Sequence, residues 1–203
     1  MTRSRIQEEW NDVKAGQISA VVLAGGYSTR MGRDKASLAL NGRTFLEIQV
    51  DKLRAVGVAD IMASGAGHRA AGARTVADIY PHRGPLGGVH ACLLSAAHPA
   101  CLVVSTDVPL IPTEALMELV QAHVGGVTAL CHGERVEPLM AVYDCALAGE
   151  AERLLNSGNT SMMQLLRRAP LTRYAYRLDE FLLTNCNTPE DYARILACGE
   201  GKP

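Results

Sequence analysis

The chain alternates between short, almost continuously apolar runs and longer amphipathic ones. ISAVVLA (18–24) is apolar at nearly every position, the pattern of a strand buried on both faces. Asn41-Gly42 marks a turn, and residues 44–56 place Phe45, Ile48, Leu53 and Val56 on the inward side of a helix that Gly57 is suited to end. ADIMASG and RTVAD read as two further strands, and GPLGGVHACLLSAA (84–97) as a loop running into a helix. CLVVSTD (101–107) is another buried strand, closing on a charge. PTEALMELVQAHV is helical, with Thr113 as its cap. GVTALCH and RVEPLMAVY follow as strands, then helical patterns at 145–156 and 160–168, a short strand at RYAYRL and a last helix after NTPED. Strand–helix alternation of this kind predicts an α/β fold with a mostly parallel sheet covered on both faces. No repeat or linker divides residues 18–203, so a single domain is expected there. Residues 1–17 are a polar N-terminal extension in which Ile6, Trp10 and Val13 share one helical face, as a docked helix or a tail.

Composition narrows the class without altering that picture. At 203 residues, 48% hydrophobic and 20% charged, the chain suits one well-packed globular unit. A net charge of −1 gives no reason to expect nucleic acid or an anionic membrane as partner, so an anionic ligand must be drawn by local charge. No apolar run approaches a membrane span and the N-terminus lacks a signal-peptide core, which makes the cytoplasm the expected location. The six cysteines are scattered without a C-x-x-C pair, the pattern of reduced core thiols rather than zinc ligands.

In an open α/β sheet, ligands gather beyond the carboxyl ends of the strands. Four segments there carry chemistry. The first is VVLAGGYSTRMGRDK (21–35), in which Gly25 and Gly26 permit close backbone approach to an anion, Arg30 can fork onto phosphate and Lys35 adds a point charge. It is neither a G-x-x-x-x-G-K-[ST] loop nor a G-x-G-x-x-G fingerprint. Asp107 ends a buried strand, where a carboxylate is costly unless paired or bound to metal; Mg²⁺ shared with phosphate oxygens fits it. A cap on the turn before Pro109 is the plainer alternative. Asp78 follows the same logic, with a turn or helix-entry role as its alternative. In Gly84-Pro85-Leu86-Gly87-Gly88 the glycines allow close approach of a flat ligand at a helix N-terminus, or simply close helix–strand packing. His82, His90 and His98 lack metal-helix spacing and read as surface or packing residues. No G-x-S-x-G elbow is present.

Together LAGGYSTRMGRDKASLALNG, VADIYPHRGPLGGVHACL, VVSTDVPLIP and TNCNTPEDYARIL resemble, in order and over roughly residues 18–197, the molybdenum cofactor guanylyltransferases of the wider nucleotidyltransferase group. The resemblance implies a Rossmann-like three-layer α/β/α sandwich. It also implies transfer of GMP from GTP to the terminal phosphate of molybdopterin, with release of pyrophosphate. Leu23, Ala24 and Gly25 would then contact the nucleotide with Lys35 and Asp78, Asp107 would hold Mg²⁺, and Asn185 and Asn187 would lie towards the pterin. One departure is IMASGAG at the second strand, where some members carry Asn; Ser64 or backbone must serve instead. Gly25-Gly26 and the GPLGG block favour guanine over the L-A-A-G loop of sister enzymes that use CTP.

These readings give an in-line transfer in which Lys35, Arg30 and Asp107 are the expected catalytic residues. GTP and molybdopterin are the expected substrates. Cofactor-insertion and molybdoenzyme-maturation proteins are the expected partners, and the chain is expected to act as a monomer. Two alternatives stay open: a CTP-dependent cytidylyltransferase or other small nucleotidyltransferase, and a regulator that binds nucleotide without turnover.

Overall fold

A computed structural model of the chain describes residues 16–24, 27–28, 33–34, 37–65, 67, 69–176 and 180–199. The N-terminal extension lies outside them apart from the exposed Gly16 and Gln17. The apolar run at 18–24 forms β1 (Ser19–Leu23), every residue of which is buried. Two small antiparallel hairpins follow that no hydrophobic period announces. One pairs β2 (Tyr27–Ser28) with β3 (Arg33–Asp34) inside the glycine-rich segment, and the other pairs β4 (Ala39–Leu40) with β5 (Arg43–Thr44) across Asn41-Gly42. Helix α1 (Phe45–Val56) starts at a reciprocal cap. Thr44 Oγ1 accepts from the Glu47 N–H, and a Glu47 carboxylate oxygen accepts from the Thr44 N–H. Gly57, at φ 96°, closes the helix in the left-handed region that its missing Cβ allows.

Beyond α1 come β6 (Asp60–Ser64), β7 (Arg74–Val76), α2 (Gly84–Ser95), β8 (Ala100–Ser105), α3 (Thr113–Ala122), β9 (Val127–His132) and β10 (Arg135–Asp144). The chain finishes with α4 (Ala148–Asn156), α5 (Met162–Leu166), β11 (Leu171–Ala175) and α6 (Pro189–Gly199). Seven strands make one sheet in the order β11-β9-β10-β8-β1-β6-β7, and its pairs are parallel except the two made by β10. The mostly parallel sheet is thus as expected, with β10 reversed because the short turn after β9 allows only a hairpin return.

Successive residues of β1 feed opposite cores. Ala20 and Val22 pack with Leu46, Val50 and Leu53 of α1 and with Leu116 and Leu119 of α3. Val21 and Leu23 pack with Val89 and Cys92 of α2 and Leu154 of α4. Helices therefore cover both faces, giving the three-layer α/β/α sandwich. A third, smaller core joins Leu38, Leu40 and Phe45 to Cys186 and Ile195, and the Tyr192 hydroxyl donates to the Ala39 carbonyl at 2.6 Å. That contact binds α6 to the β4–β5 hairpin. Among the described residues no helix is long and apolar enough to cross a membrane.

Several sequence expectations shift. Helix α2 begins at Gly84 itself, so GPLGG is the helix's opening rather than a loop before it. Thr113 does not cap α3: Pro112 occupies the cap position in extended backbone, and no side chain bonds the helix start there. Ile48 is only partly buried; the inward face of α1 carries Leu46, Gln49 and Val50 besides Phe45, Leu53 and Val56. Strand β11 starts two residues before RYAYRL, in register with Val127. The thiols of Cys92, Cys101, Cys131 and Cys186 are buried and Cys145 is half-buried, none of them in a disulfide. Burial pushes Cys92 up to about 12 and Cys145 to about 11, so neither is poised as a nucleophile.

At the amino end of the sheet, Asp60 ties four segments together. Its carboxylate accepts from Arg74 Nε at 2.9 Å, Ser19 Oγ at 2.6 Å and the Ala97 N–H at 2.9 Å. Burial alone would raise its pKa; the hydrogen bonds from Arg74, Ser19 and Ala97 outweigh it and bring the carboxyl down to about 2. The opposite, carboxyl end of the sheet is where the candidate chemistry collects.

Candidate active site

The register Leu23↔Ser64, Leu23↔Ser105 and Ser64↔Val76 aligns the carboxyl ends of β1, β6, β8 and β7. Asp78 and Asp107 each sit two residues past a strand on that edge, and His132 ends β9 on the same side. The sheet therefore brings Leu23, Ser64, Asp78 and Asp107 to one rim. Gly25, Gly26, Arg30 and Lys35 lie outside the described residues. What is described of their segment is the short ladder of Tyr27 with Asp34 and Ser28 with Arg33, which doubles the chain back on itself.

Leu23, Ala24, Ser64 and Leu86 are buried and form the floor of the rim. A Cβ on Gly88 would lie 3.3 Å from Leu23 Cδ2 and from the Ser64 side chain, so α2 rests directly on the ends of β1 and β6. The Ser64 hydroxyl is covered by that contact. At Gly87 a Cβ would come within 2.9 Å of the Tyr80 carbonyl oxygen, closer than side chains tolerate. The close approach these two glycines permit is thus to the protein itself: Gly88 to the side chains of Leu23 and Ser64, and Gly87 to the Tyr80 main chain, which seats the 78–83 loop over the start of α2. Gly87→Ala should push that loop outward, costing about 1–3 kcal/mol by overpacking. Thermal melting should register it.

Asp78 is half-buried, and its Oδ1 has no hydrogen-bond partner among the described residues. Burial raises its pKa and His82 opposes the rise. A shielded acceptor without a donor is costly, and a ligand donor at the rim would relieve it. His90, 1% exposed, packs edge-on to Tyr80 with ring centroids 5.3 Å apart, a packing residue as its sequence context suggests.

Asp107 is fixed through its main chain. Its N–H donates to Ser105 Oγ at 3.1 Å and its carbonyl accepts from the Cys186 N–H at 2.8 Å. Thr106 before it donates twice to the Leu23 carbonyl, from N at 3.3 Å and Oγ1 at 3.2 Å. The Cys186 bond holds the Asn185–Asn187 segment against the main chain of Asp107. A cavity of about 360 Å³ opens beside it, lined by His132, Arg135, Glu137, Leu183, Thr184 and Asn185. Arg135 Nε meets Glu137 Oε1 at 2.6 Å on its wall, and a register shift of β10 between Glu137 and Ala141 turns the strand there. In the NTPED block, Thr188 and Asp191 have a structural task. The Asp191 carboxylate accepts from the Asn187 and Thr188 N–H groups, and Thr188 Oγ1 accepts from the Asp191 N–H, starting α6.

Two residues on α1 escaped the sequence reading. Gln49 Nε2 donates to the carbonyls of Ser105 at 3.0 Å and Val108 at 2.8 Å, and Lys52 Nζ donates to the Pro109 carbonyl. Burial lowers the Lys52 ammonium to about 8. The available signal was a polar residue on the apolar stripe of an amphipathic helix.

The MobA-like NTP transferase domain model matches residues 20–174, more than half of the chain. The chain belongs to this family. Among its relatives, a molybdenum cofactor guanylyltransferase of Xanthomonas euvesicatoria pv. vesicatoria is 35% identical over 185 residues, covering 88% of this chain and 94% of the relative. A probable molybdenum cofactor guanylyltransferase of Pelotomaculum thermopropionicum is 32% identical over 195 residues, covering 89% and 94%. The crystal structure of molybdopterin-guanine dinucleotide biosynthesis protein A from Archaeoglobus fulgidus superposes with a TM-score of 0.76 at 24% identity, over 91% of this chain and all of the other. The 2-C-methyl-D-erythritol 4-phosphate cytidylyltransferase of Thermus thermophilus superposes at 0.69 with 18% identity over 91% and 99%. These last two show the shared fold. This MobA-like chain is a nucleotidyltransferase by family, and its described rim residues sit where such a fold binds ligands.

Proposed function

We propose that the protein transfers GMP from GTP to the terminal phosphate of molybdopterin, releasing pyrophosphate and forming the guanine dinucleotide cofactor. The observation that carries this reading is the hydrogen bond from the Cys186 N–H to the Asp107 carbonyl. It joins the loop that carries Asp107 to the segment of Asn185, which lines a cavity at the same sheet edge. A carboxylate loop beside a cavity suits a two-substrate transfer, and the names of relatives at 32% and 35% identity support guanylyl transfer and the molybdenum cofactor.

A molybdopterin phosphate oxygen attacks the α-phosphorus of GTP, and the bond from that phosphorus to the oxygen bridging to the β-phosphate breaks. A phosphate monoester is already anionic near neutral pH, so no strong base is needed, and the protein's task is positioning and charge neutralisation. Lys35 and Arg30 neutralise the triphosphate, Asp78 accepts from the nucleoside, and Asn185 and Asn187 orient the acceptor. Among the described residues no group of three or more ligating side chains could cage a metal. The half-buried carboxylate of Asp107 would hold Mg²⁺, an ion that commonly takes one or two carboxylates and fills its remaining positions with phosphate oxygens and water. When bound there, Mg²⁺ supplies charge neutralisation at the phosphates.

The test is a panel of GTP, CTP, ATP and UTP with molybdopterin and Mg²⁺, following dinucleotide product by mass and pyrophosphate by coupled assay. GTP should exceed every other nucleotide by at least about tenfold, a difference of about 1.4 kcal/mol. Preference for CTP would overturn the guanine assignment. Tight GTP binding without product, with authentic acceptor present, would overturn the reaction.

A further inference from the structure

The inward stripe of α1 is apolar except at Gln49, which is 0% exposed. Both hydrogens of its amide go to carbonyls on either side of Thr106-Asp107, those of Ser105 and Val108. Its Oε1 is left buried and, among the described residues, without a partner. An apolar side chain of the same shape would avoid the orphaned oxygen but withdraw a donor from each of the two carbonyls, so what the amide secures is the tie between α1 and this loop. One turn further along the same helix, Lys52 reaches the Pro109 carbonyl. The loop that carries Asp107 is thus held from below by two α1 side chains that are distant in sequence.

We infer that Gln49, assisted by Lys52, is a positioning residue that sets the angle at which the Asp107 loop presents its carboxylate to the magnesium–nucleotide complex. Gln49 touches neither substrate; it acts through the two carbonyls that bracket Thr106 and Asp107. The amide is specific to this task. A carboxylate at position 49 would set oxygen against oxygen, and a shorter side chain would not span both carbonyls. The inference rests on the proposed transfer for its kinetic consequence but not for the clamp itself.

Gln49→Met keeps the length and the apolar packing and removes both donors. Backbone hydrogen exchange reads the clamp independently of turnover: the Thr106, Asp107 and Cys186 amides should exchange about tenfold faster, with the central amides of β1 unchanged. In the transfer assay the Mg²⁺ concentration for half-maximal rate should rise about fivefold or more, with kcat largely recovered at saturating Mg²⁺. Gln49→Glu should not rescue it. Lys52→Met, on the more exposed side of the loop, should move both readouts in the same direction by about twofold, and it serves where Gln49→Met folds poorly. Unchanged exchange at Thr106 and Asp107 in a folded variant overturns the clamp. Faster exchange with an unchanged Mg²⁺ requirement overturns its link to Asp107. A wild-type protein that makes no product refutes the proposed reaction instead, and the exchange data still decide the clamp.

Discussion

Asp107→Asn protein should melt within a few degrees of the parent yet release pyrophosphate about 10²–10³-fold more slowly. The two effects separate because two bonds that fix residue 107 are made by its main chain. Its N–H reaches Ser105 Oγ and its carbonyl receives the Cys186 N–H, and both survive the substitution. What disappears is one negative charge at the rim. Loss of a single preorganised charge or donor at a reacting centre is typically worth about 3–4 kcal/mol, which sets the size of the expected drop. Raising Mg²⁺ should restore part of the rate, since a neutral amide oxygen remains a weak ligand. Turnover close to the parent's would remove Asp107 from the mechanism and leave it a turn-forming residue before Pro109.

The second large effect lies at the far end of the sheet and concerns stability. Asp60→Ala leaves the buried Ser19 hydroxyl, the Ala97 N–H and half of the Arg74 guanidinium without their acceptor. Removing one partner of such a cluster should cost about 2–4 kcal/mol, discounted here because Arg74 is 44% exposed and screened by water. In a chain of this length that corresponds to roughly 5–12 °C in melting temperature. The pH dependence has a definite sign. The folded-state pKa of Asp60 is depressed to about 2, below its unfolded value near 4. Its contribution is therefore complete above the unfolded value and is lost as pH falls from about 4 through 2. Urea titrations at pH 6, 4 and 3 should show the parent weakening towards acid while Asp60→Asn changes less. Equal acid sensitivity in the two proteins would mean that other carboxylates carry the effect.

Much of this was legible from residue order. ISAVVLA and CLVVSTD declared themselves as buried strands because a strand covered on both faces has no polar alternate positions, and both became central strands. Asp78 and Asp107 were visible because a charge that ends such a run has few inexpensive reasons to be there. The hairpins β2–β3 and β4–β5 were not, since two-residue strands show no period. Gly87 and Gly88 announced close approach but not to what; only the fold reveals the Tyr80 carbonyl and the Leu23 side chain in the space a Cβ would take. Gln49 and Asp60 were illegible for another reason. Each draws its partners from other segments, between 14 and 59 residues away, and a polar letter in a helix or at a strand's start carries no mark of that company.

The strand order has a consequence for how the chain is made. β1 lies between β6 and β8, in register with residues 60–64 on one side and 101–105 on the other. This apolar strand thus leaves the ribosome well before either of the strands that enclose it. One flank waits some forty residues of synthesis and the other about eighty, whereas β9 and β10 meet across a two-residue turn almost at once. Until Ser105 emerges, SAVVL stands as an open edge of exposed backbone and methyl groups, a segment for which a growing chain needs a chaperone's cover.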